Sequence, residues 1–281
     1  MGTPEDVPVP RNVIRFIIFK NNKFRAILFP LIFLFLQNMN KGVLYLFPCT
    51  LSGGEPGQVI PVPVLEKLRT VRIFVVEDER SARRFLSAAG LKGNISTLVF
   101  YELNEHSCRN VVDEYVKILL DGNDVGIISE AGLPAVADPG AWLVAAAHEH
   151  DIDVVPFTGP SSLMLALMAS GMNGQNFSFE GYLPVDSGAR KAALSALESD
   201  SLRNGRTKIF IETPYRNDKL MEDILRVCRA DTMICVAADL TLPSQFVKSM
   251  SVEKWRGNKF SIGKRPCVFL LQAERRQSRS F

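Results

Sequence analysis

Ser129-Glu130-Ala131-Gly132-Leu133-Pro134-Ala135-Val136-Ala137-Asp138-Pro139-Gly140 is the stretch of this 281-residue chain best suited to holding a ligand. Its two prolines and two glycines fix the backbone path. A path so constrained presents amides and carbonyls to a polar molecule instead of merely connecting elements. Thr158-Gly159-Pro160-Ser161-Ser162 places small residues and free N–H groups at a helix start, which suits a carboxylate or another anion. The same residues also read as an ordinary helix N-terminus. Glu77-Asp78-Glu79-Arg80-Ser81 sets three carboxylates beside one guanidinium. That cluster reads either as a source of a general base or as a solvated helix start complementing the macrodipole.

The familiar phosphate motifs are absent. There is no G-x-x-x-x-G-K-[ST] and no G-x-G-x-x-G opening a helix, which disfavours P-loop and ordinary dinucleotide binding. No G-x-S-x-G elbow occurs. The five cysteines, at 49, 108, 228, 235 and 267, are odd in number and hold no C-x-x-C pair, so the expectation is a reduced, cytoplasmic protein with no zinc ribbon. His106, His148 and His150 form no metal motif.

Strand and helix alternate to position these loops. Short β-branched and aromatic runs at 43–47, 72–76, 96–100, 125–129 and 153–157 are spaced like βαβ units. Val111, Tyr115 and Leu119, with Val112 and Val116, repeat at helical spacing, and Asp121-Gly122 ends that helix. The pattern predicts an α/β fold whose N-terminal parallel sheet has helices on both faces. In such a sheet the loops at the strands' carboxyl ends carry the ligand. Past Gly171 the rhythm changes. Strands are expected at 177–182, 208–212, 233–238 and 266–272, with helices at about 187–202 and 215–229, giving a mixed C-terminal α/β domain. The expected domains are 39–172 and 173–273, followed by a polar tail at 274–281.

Residues 1–38 differ in character. Residues 26–36 form an apolar run of 11, against roughly 20 needed to span a bilayer. Basic residues precede it, as in a signal peptide, but no small-x-small cleavage site follows. From Arg11 to Asn38, 17 of 28 residues are Phe, Ile, Asn or Lys, the signature of translated A/T-rich DNA. Met39, just before the first strand, is therefore the expected start. A signal segment or membrane anchor, and a genuine N-terminal helix, are the alternatives. The leader also holds the charge excess: it carries five basic and two acidic residues, so of the chain's 33 Lys+Arg and 30 Asp+Glu the remainder has 28 of each. A neutral body excludes a strongly basic nucleic-acid binder and leaves room only for a local patch, for which Arg83, Arg84, Arg190 and Lys191 are candidates.

Taken in order, the loops resemble the tetrapyrrole methylase superfamily, two-domain methyltransferases that bind S-adenosylmethionine between their domains. The resemblance covers about residues 42–272. It rests on Leu44-Tyr45-Leu46-Phe47-Pro48-Cys49-Thr50, Glu77-Asp78-Glu79-Arg80, Ser129 through Gly140, Thr158 through Ser162, Phe179-Glu180-Gly181-Tyr182-Leu183-Pro184 and Glu212-Thr213-Pro214-Tyr215-Arg216. It is nearest to the branch that methylates a ribose 2′-hydroxyl of small-subunit ribosomal RNA.

The resemblance implies a cofactor site at Pro48, Ser129, Ala131, Gly132, Leu133, Pro134, Val136, Ala137, Ser161, Ser162 and Glu212. It implies a homodimer, no membrane association, and ribosomal RNA or the small subunit as partner. If the acceptor is a hydroxyl, Glu77 or Glu102 is the expected base, with Arg80 and Asn104 positioning it. Departures concentrate on the side facing the acceptor. The branch's H-E-H-N is Tyr101-Glu102-Leu103-Asn104 here, and its E-L-T-K is Asp239-Leu240-Thr241-Leu242. A tetrapyrrole or other small-molecule acceptor, and a non-catalytic cofactor-binding protein, remain the competing expectations.

Overall fold

The computed structural model describes residues 41–258 and 260–274. The leader, the Met39 start and the end of the polar tail lie outside them. Strands β1 (Leu44–Phe47), β2 (Ile73–Val76), β3 (Val99–Glu102), β4 (Val125–Ile128) and β5 (Val154–Pro156) form a parallel sheet in the order β3-β2-β4-β1-β5. Its central strand β4 reads Val-Gly-Ile-Ile and is buried throughout, as a parallel strand covered on both faces must be. Helices α1 (Val62–Leu68) and α2 (Glu79–Leu86) cover one face, where Val64, Leu65, Leu68, Ala82 and Leu86 join one core with Phe47, Phe74 and Ile128. Helices α3 (Val111–Leu120) and α4 (Gly140–Glu149) cover the other. The stripe Val112, Tyr115, Val116 and Leu119 seen in the sequence is the buried face of α3.

Strand order creates the site. β1 leads to β2 across β4, whereas β4 leads to β5 across β1. The two paths leave in opposite directions on opposite faces, which opens a crevice beyond the carboxyl ends of β1 and β4.

A second sheet follows, built from β6 (Phe177–Tyr182), β7 (Thr207–Ile211), β8 (Met233–Ala238), β9 (Phe246–Ser251) and β10 (Cys267–Gln272), in the order β6-β7-β10-β8-β9. β6 and β7 are parallel and the remaining pairs antiparallel. The sheet is mixed, as expected, but β9 is an additional strand. Its sequence Phe-Val-Lys-Ser-Met-Ser carries few strand formers. It is an edge strand held by its register with β8, from Met233↔Ser251 to Ala238↔Phe246. The short helix α8 (Val252–Arg256) then buries Trp255, whose ring N–H donates to the Ile234 carbonyl at 3.0 Å.

Helix α5 (Ser162–Ser170) belongs by connectivity to the first sheet and by packing to the second. Ala166 and Leu167 sit in one core with Ile209, Cys235, Ala237, Val268 and Leu270. The Ser249 hydroxyl donates to the Ser170 carbonyl at 2.7 Å, and the Asn173 amide to Gln272 Oε1 at 3.1 Å. Helices α6 (Ser187–Asn204), α7 (Asn217–Val227) and α8 pack on the opposite face, around Leu194, Leu220, Ile224, Phe210 and Phe269.

Arg190 is not a surface residue, and the expectation that it belongs to a basic patch is corrected here. It is 3% exposed. Its Nε and Nη2 donate to Asp223 Oδ2 at 2.9 and 2.6 Å, and its Nη1 donates to the Val185 carbonyl at 2.7 Å. The arginine on α6 thus ties α7 to the β6–α6 connection. Removing one partner leaves a buried charge uncompensated. Arg190→Met is expected to lower the unfolding free energy by about 3–5 kcal/mol in urea titrations, and the double variant Arg190→Met/Asp223→Leu to recover most of that loss.

Candidate active site

Three loops interlock at the crevice. The Cys49 amide, after β1, donates to the Gly132 carbonyl, after β4, at 2.7 Å. Gly132 has φ +74, and a Cβ there would sit 3.1 Å from Leu51 Cδ2 and 3.4 Å from the Pro160 carbonyl oxygen. A Cβ on Gly159 would lie 2.1 Å from Pro48 Cβ, so the loops after β1 and β5 meet where a larger residue has no room. Ala135 and Ala137 also hold left-handed backbone, at φ 63 and 61. Each such residue costs on the order of 1–2 kcal/mol, and the Asp138 carboxylate accepts the Ala135 amide.

Two adjoining cavities lie between this rim and the second sheet. The first, about 230 Å³, is lined by Glu77, Ser129 to Leu133, Val136 to Asp138, Ser161, Ser162, Phe179, Tyr182 and Ile211 among others. The second, about 260 Å³, is lined by Leu51, Ser52, Glu212, Pro214, Leu240 and Val268 among others. Ala131, Ser162, Tyr182 and Ile211 face both. Together they fall in the size range of small-ligand pockets.

The polar groups differ in state. Glu77 Oε2 accepts from the Glu130 amide at 2.9 Å. Burial holds the Glu77 carboxyl above the usual carboxylate range; that hydrogen bond opposes the shift, and the nearby Asp138, Glu130 and Glu105 charges add to it. Burial likewise raises Asp138, against hydrogen bonds from the Gly140 and Ala135 amides. Asp138 Oδ2 is buried without a hydrogen-bond partner among the described residues. Glu212 is buried and lines the second cavity. Its Oε1 accepts from the Thr213 amide at 2.7 Å and from Arg216, while Oε2 has no hydrogen-bond partner among the described residues. Ser161 caps α5, accepting the Met164 amide at 3.4 Å, so the Ser162 and Leu163 amides open the helix facing the cavity.

Sequence-predicted residues divide accordingly. Glu77, Ser129, Ala131, Gly132, Leu133, Val136, Ala137, Ser161, Ser162 and Glu212 come together at the cavities. Pro48 and Pro134 are buried supports behind them. Arg80, Glu102 and Asn104 line neither cavity. Arg80 is exposed in the first turn of α2. Glu102 ends the edge strand β3 and accepts the Glu79 amide at 3.4 Å. Asn104 closes its own turn, accepting the His106 amide at 3.0 Å. Sequence reasoning singled out neither Asp138 nor the second-sheet wall of Phe179, Tyr182, Ile211, Leu240 and Val268. Asp138 and Tyr182 stood inside quoted motifs, whereas Ile211 and Val268 read as ordinary core residues.

Known proteins align with this arrangement. The family described as Tetrapyrrole (Corrin/Porphyrin) Methylases matches residues 57–255. Proteins named ribosomal RNA small subunit methyltransferase I are similar to the chain. The one from Vibrio cholerae is 34% identical over 72% of this chain and 70% of its own length. The one from Micromonospora olivasterospora is 36% identical over 71% and 60%, and the one from Escherichia coli O157:H7 is 31% identical over 72% and 66%. The chain thus spans under two thirds of the latter two relatives. Among solved structures, the methyltransferase CobJ superposes with a TM-score of 0.54 at 16% identity, covering 82% of this chain and 94% of its own. Diphthine synthase gives 0.56 at 13%, covering 82% and 89%. Both share the fold.

Glu77→Gln keeps an oxygen to accept the Glu130 amide and removes the buried charge. Between the ordinary and the raised carboxyl value the folded state binds more protons than the unfolded one, so stability falls as pH rises through that window. The variant is expected to melt above the parent near neutral pH, with the gap closing below the ordinary value of about 4.3. Thermal melts across that range check this, and a gap independent of pH would contradict it.

Proposed function

Because the chain belongs to the tetrapyrrole (corrin/porphyrin) methylase family, we propose that it transfers a methyl group from S-adenosylmethionine to a ribose 2′-hydroxyl of small-subunit ribosomal RNA. Family membership makes it an S-adenosylmethionine-dependent methyltransferase. The acceptor is read from its similarity to the ribosomal RNA methyltransferases. The observation that carries the reading is a paired cavity of suitable size between the β4 loop and the second sheet.

The residues present fit the cofactor. Gly132 leaves backbone open where a side chain would press on Leu51 and Pro160. Glu212 Oε2 is a buried acceptor with no partner among the described residues, suited to a hydroxyl or an ammonium group. The α5 N-terminus suits a carboxylate. When bound, S-adenosylmethionine supplies an already activated sulfonium methyl. The β4 loop holds the reactants through backbone groups, and the apolar wall of Ile211, Leu240 and Val268 excludes water. Glu77 takes the proton of the acceptor hydroxyl; its raised carboxyl value makes it a better base than an exposed carboxylate. Glu102 is the weaker candidate, since its carboxylate faces the Glu79 amide outside the cavities.

Among the described residues no helix is long and apolar enough to cross a membrane. Cytoplasmic action on the small subunit is part of the proposal. So is a homodimer, since Met164 and Met168, one turn apart on α5, are exposed and a second copy would cover them.

The test is methyl transfer from labelled S-adenosylmethionine to small ribosomal subunits lacking the modification, with the product nucleoside identified by mass spectrometry. Transfer to a 2′-oxygen is expected. Glu77→Gln should lower kcat by about 10²–10⁴ with little change in KM. Gly132→Val should abolish cofactor binding in calorimetry. Methylation of a porphyrinoid and not of RNA would overturn the acceptor.

A further inference from the structure

Tyr215 is 80% exposed, although it directly follows Pro214, which lines the second cavity. A large aromatic ring so exposed at a cavity rim offers an open face on which a planar ligand group can stack. One side of the ring is already taken: Lys264 Nζ stands 5.0 Å from its centroid. The loop carrying Lys264 is fixed from the start of α7. Asn217 is fully buried. Its Nδ2 donates to the Gly263 and Arg265 carbonyls at 3.0 and 2.8 Å. Asp218 Oδ1 accepts the Ile262 amide and Oδ2 the Ser261 hydroxyl, both at 2.7 Å. Two residues past Lys264, the same loop returns to the cavity at Pro266. Tyr215 and its cation are thus held by neighbouring segments of one hydrogen-bonded unit, with the ring's open side toward solvent. A second exposed ring shares the rim: Tyr182, opposite Ile211 in the β6–β7 register, lines both cavities and is 59% exposed.

Building on the ribosomal-RNA reading above, we propose that Tyr215, backed by Lys264, is a stacking platform for an unpaired RNA base beside the nucleotide that receives the methyl group. A 2′-hydroxyl can enter a cavity between two sheets only if its nucleotide leaves the helical stack, and this exposes the neighbouring bases. An aromatic face recovers the lost stacking for any base, and the ammonium behind it favours the adjoining phosphates. A ring held in place before binding loses little freedom when the base arrives. The chain's net neutrality outside the leader fits a grip of this local kind better than a broad basic surface.

The experiment measures methyl transfer to unmodified small ribosomal subunits and calorimetric binding of S-adenosylmethionine for the parent, Tyr215→Ala, Tyr215→Phe and Lys264→Ala. Tyr215→Ala is expected to raise KM for subunits about tenfold, leaving kcat and cofactor affinity within about twofold. Tyr215→Phe should restore the parent KM, because stacking needs the ring and not the hydroxyl. Lys264→Ala should raise KM by less than Tyr215→Ala. An unchanged KM in Tyr215→Ala overturns the platform while leaving the RNA reading intact. So does a loss confined to cofactor affinity, or a Tyr215→Phe variant as impaired as the alanine. If the parent methylates no RNA, the reading beneath the proposal fails and the platform falls with it.

Discussion

One hydrogen bond, from the Cys49 amide to the Gly132 carbonyl, holds together the part of the molecule on which the rest depends. β1 and β4 are neighbours whose chain paths part in opposite directions, so nothing in the sheet itself closes the space beyond their ends. The bond joins the two loops across that gap. Gly159, pressed against Pro48, adds the third loop. Ala135 and Ala137, in the same β4 loop, hold left-handed conformations that cost free energy. The strain turns the β4 loop into a fixed surface of backbone groups.

Helix α5 converts that surface into an enclosed site. Its N-terminus stands among the first sheet's loops, while Ala166 and Leu167 are buried against the second sheet. A single rigid element therefore sets the spacing between the backbone cradle and the apolar wall of Ile211, Leu240 and Val268. Removal from water is the first cause of the raised Glu77 and Asp138 values; hydrogen bonds only partly offset it, and at Glu77 the charges of Asp138, Glu130 and Glu105 add to it. A carboxyl that resists ionisation is costly to the fold and useful to an acceptor whose proton must leave, a division of cost and use common at catalytic sites.

The acidic and basic residues follow the same logic of local pairing. Arg190 spends its charge inside the second half, on Asp223. Lys208, nearly buried, is held by Asp200 and Glu180. Arg83 is paired with Glu79 and covers the Phe100 ring.

Periodicity and loop chemistry made the parallel sheet, its helices and the Ser129–Gly140 cradle legible in the sequence, because each is decided within a short window: short β-branched and aromatic runs, a helical stripe, prolines and glycines that permit few backbone paths. Ten of the fifteen site residues expected from those motifs meet at the cavities. Tertiary structure decided the rest. Glu102 and Asn104 sit at the sheet's edge because β3 is outermost, and strand order is a long-range property that no local window holds. β9 exists because β8 offers it an edge, not because its residues favour a strand. Arg190 looked like a surface charge until the packing of α6 on α7 placed Asp223 against it. The Asp138 carboxyl acquires its character from burial, and burial belongs to the assembled fold and not to the chain.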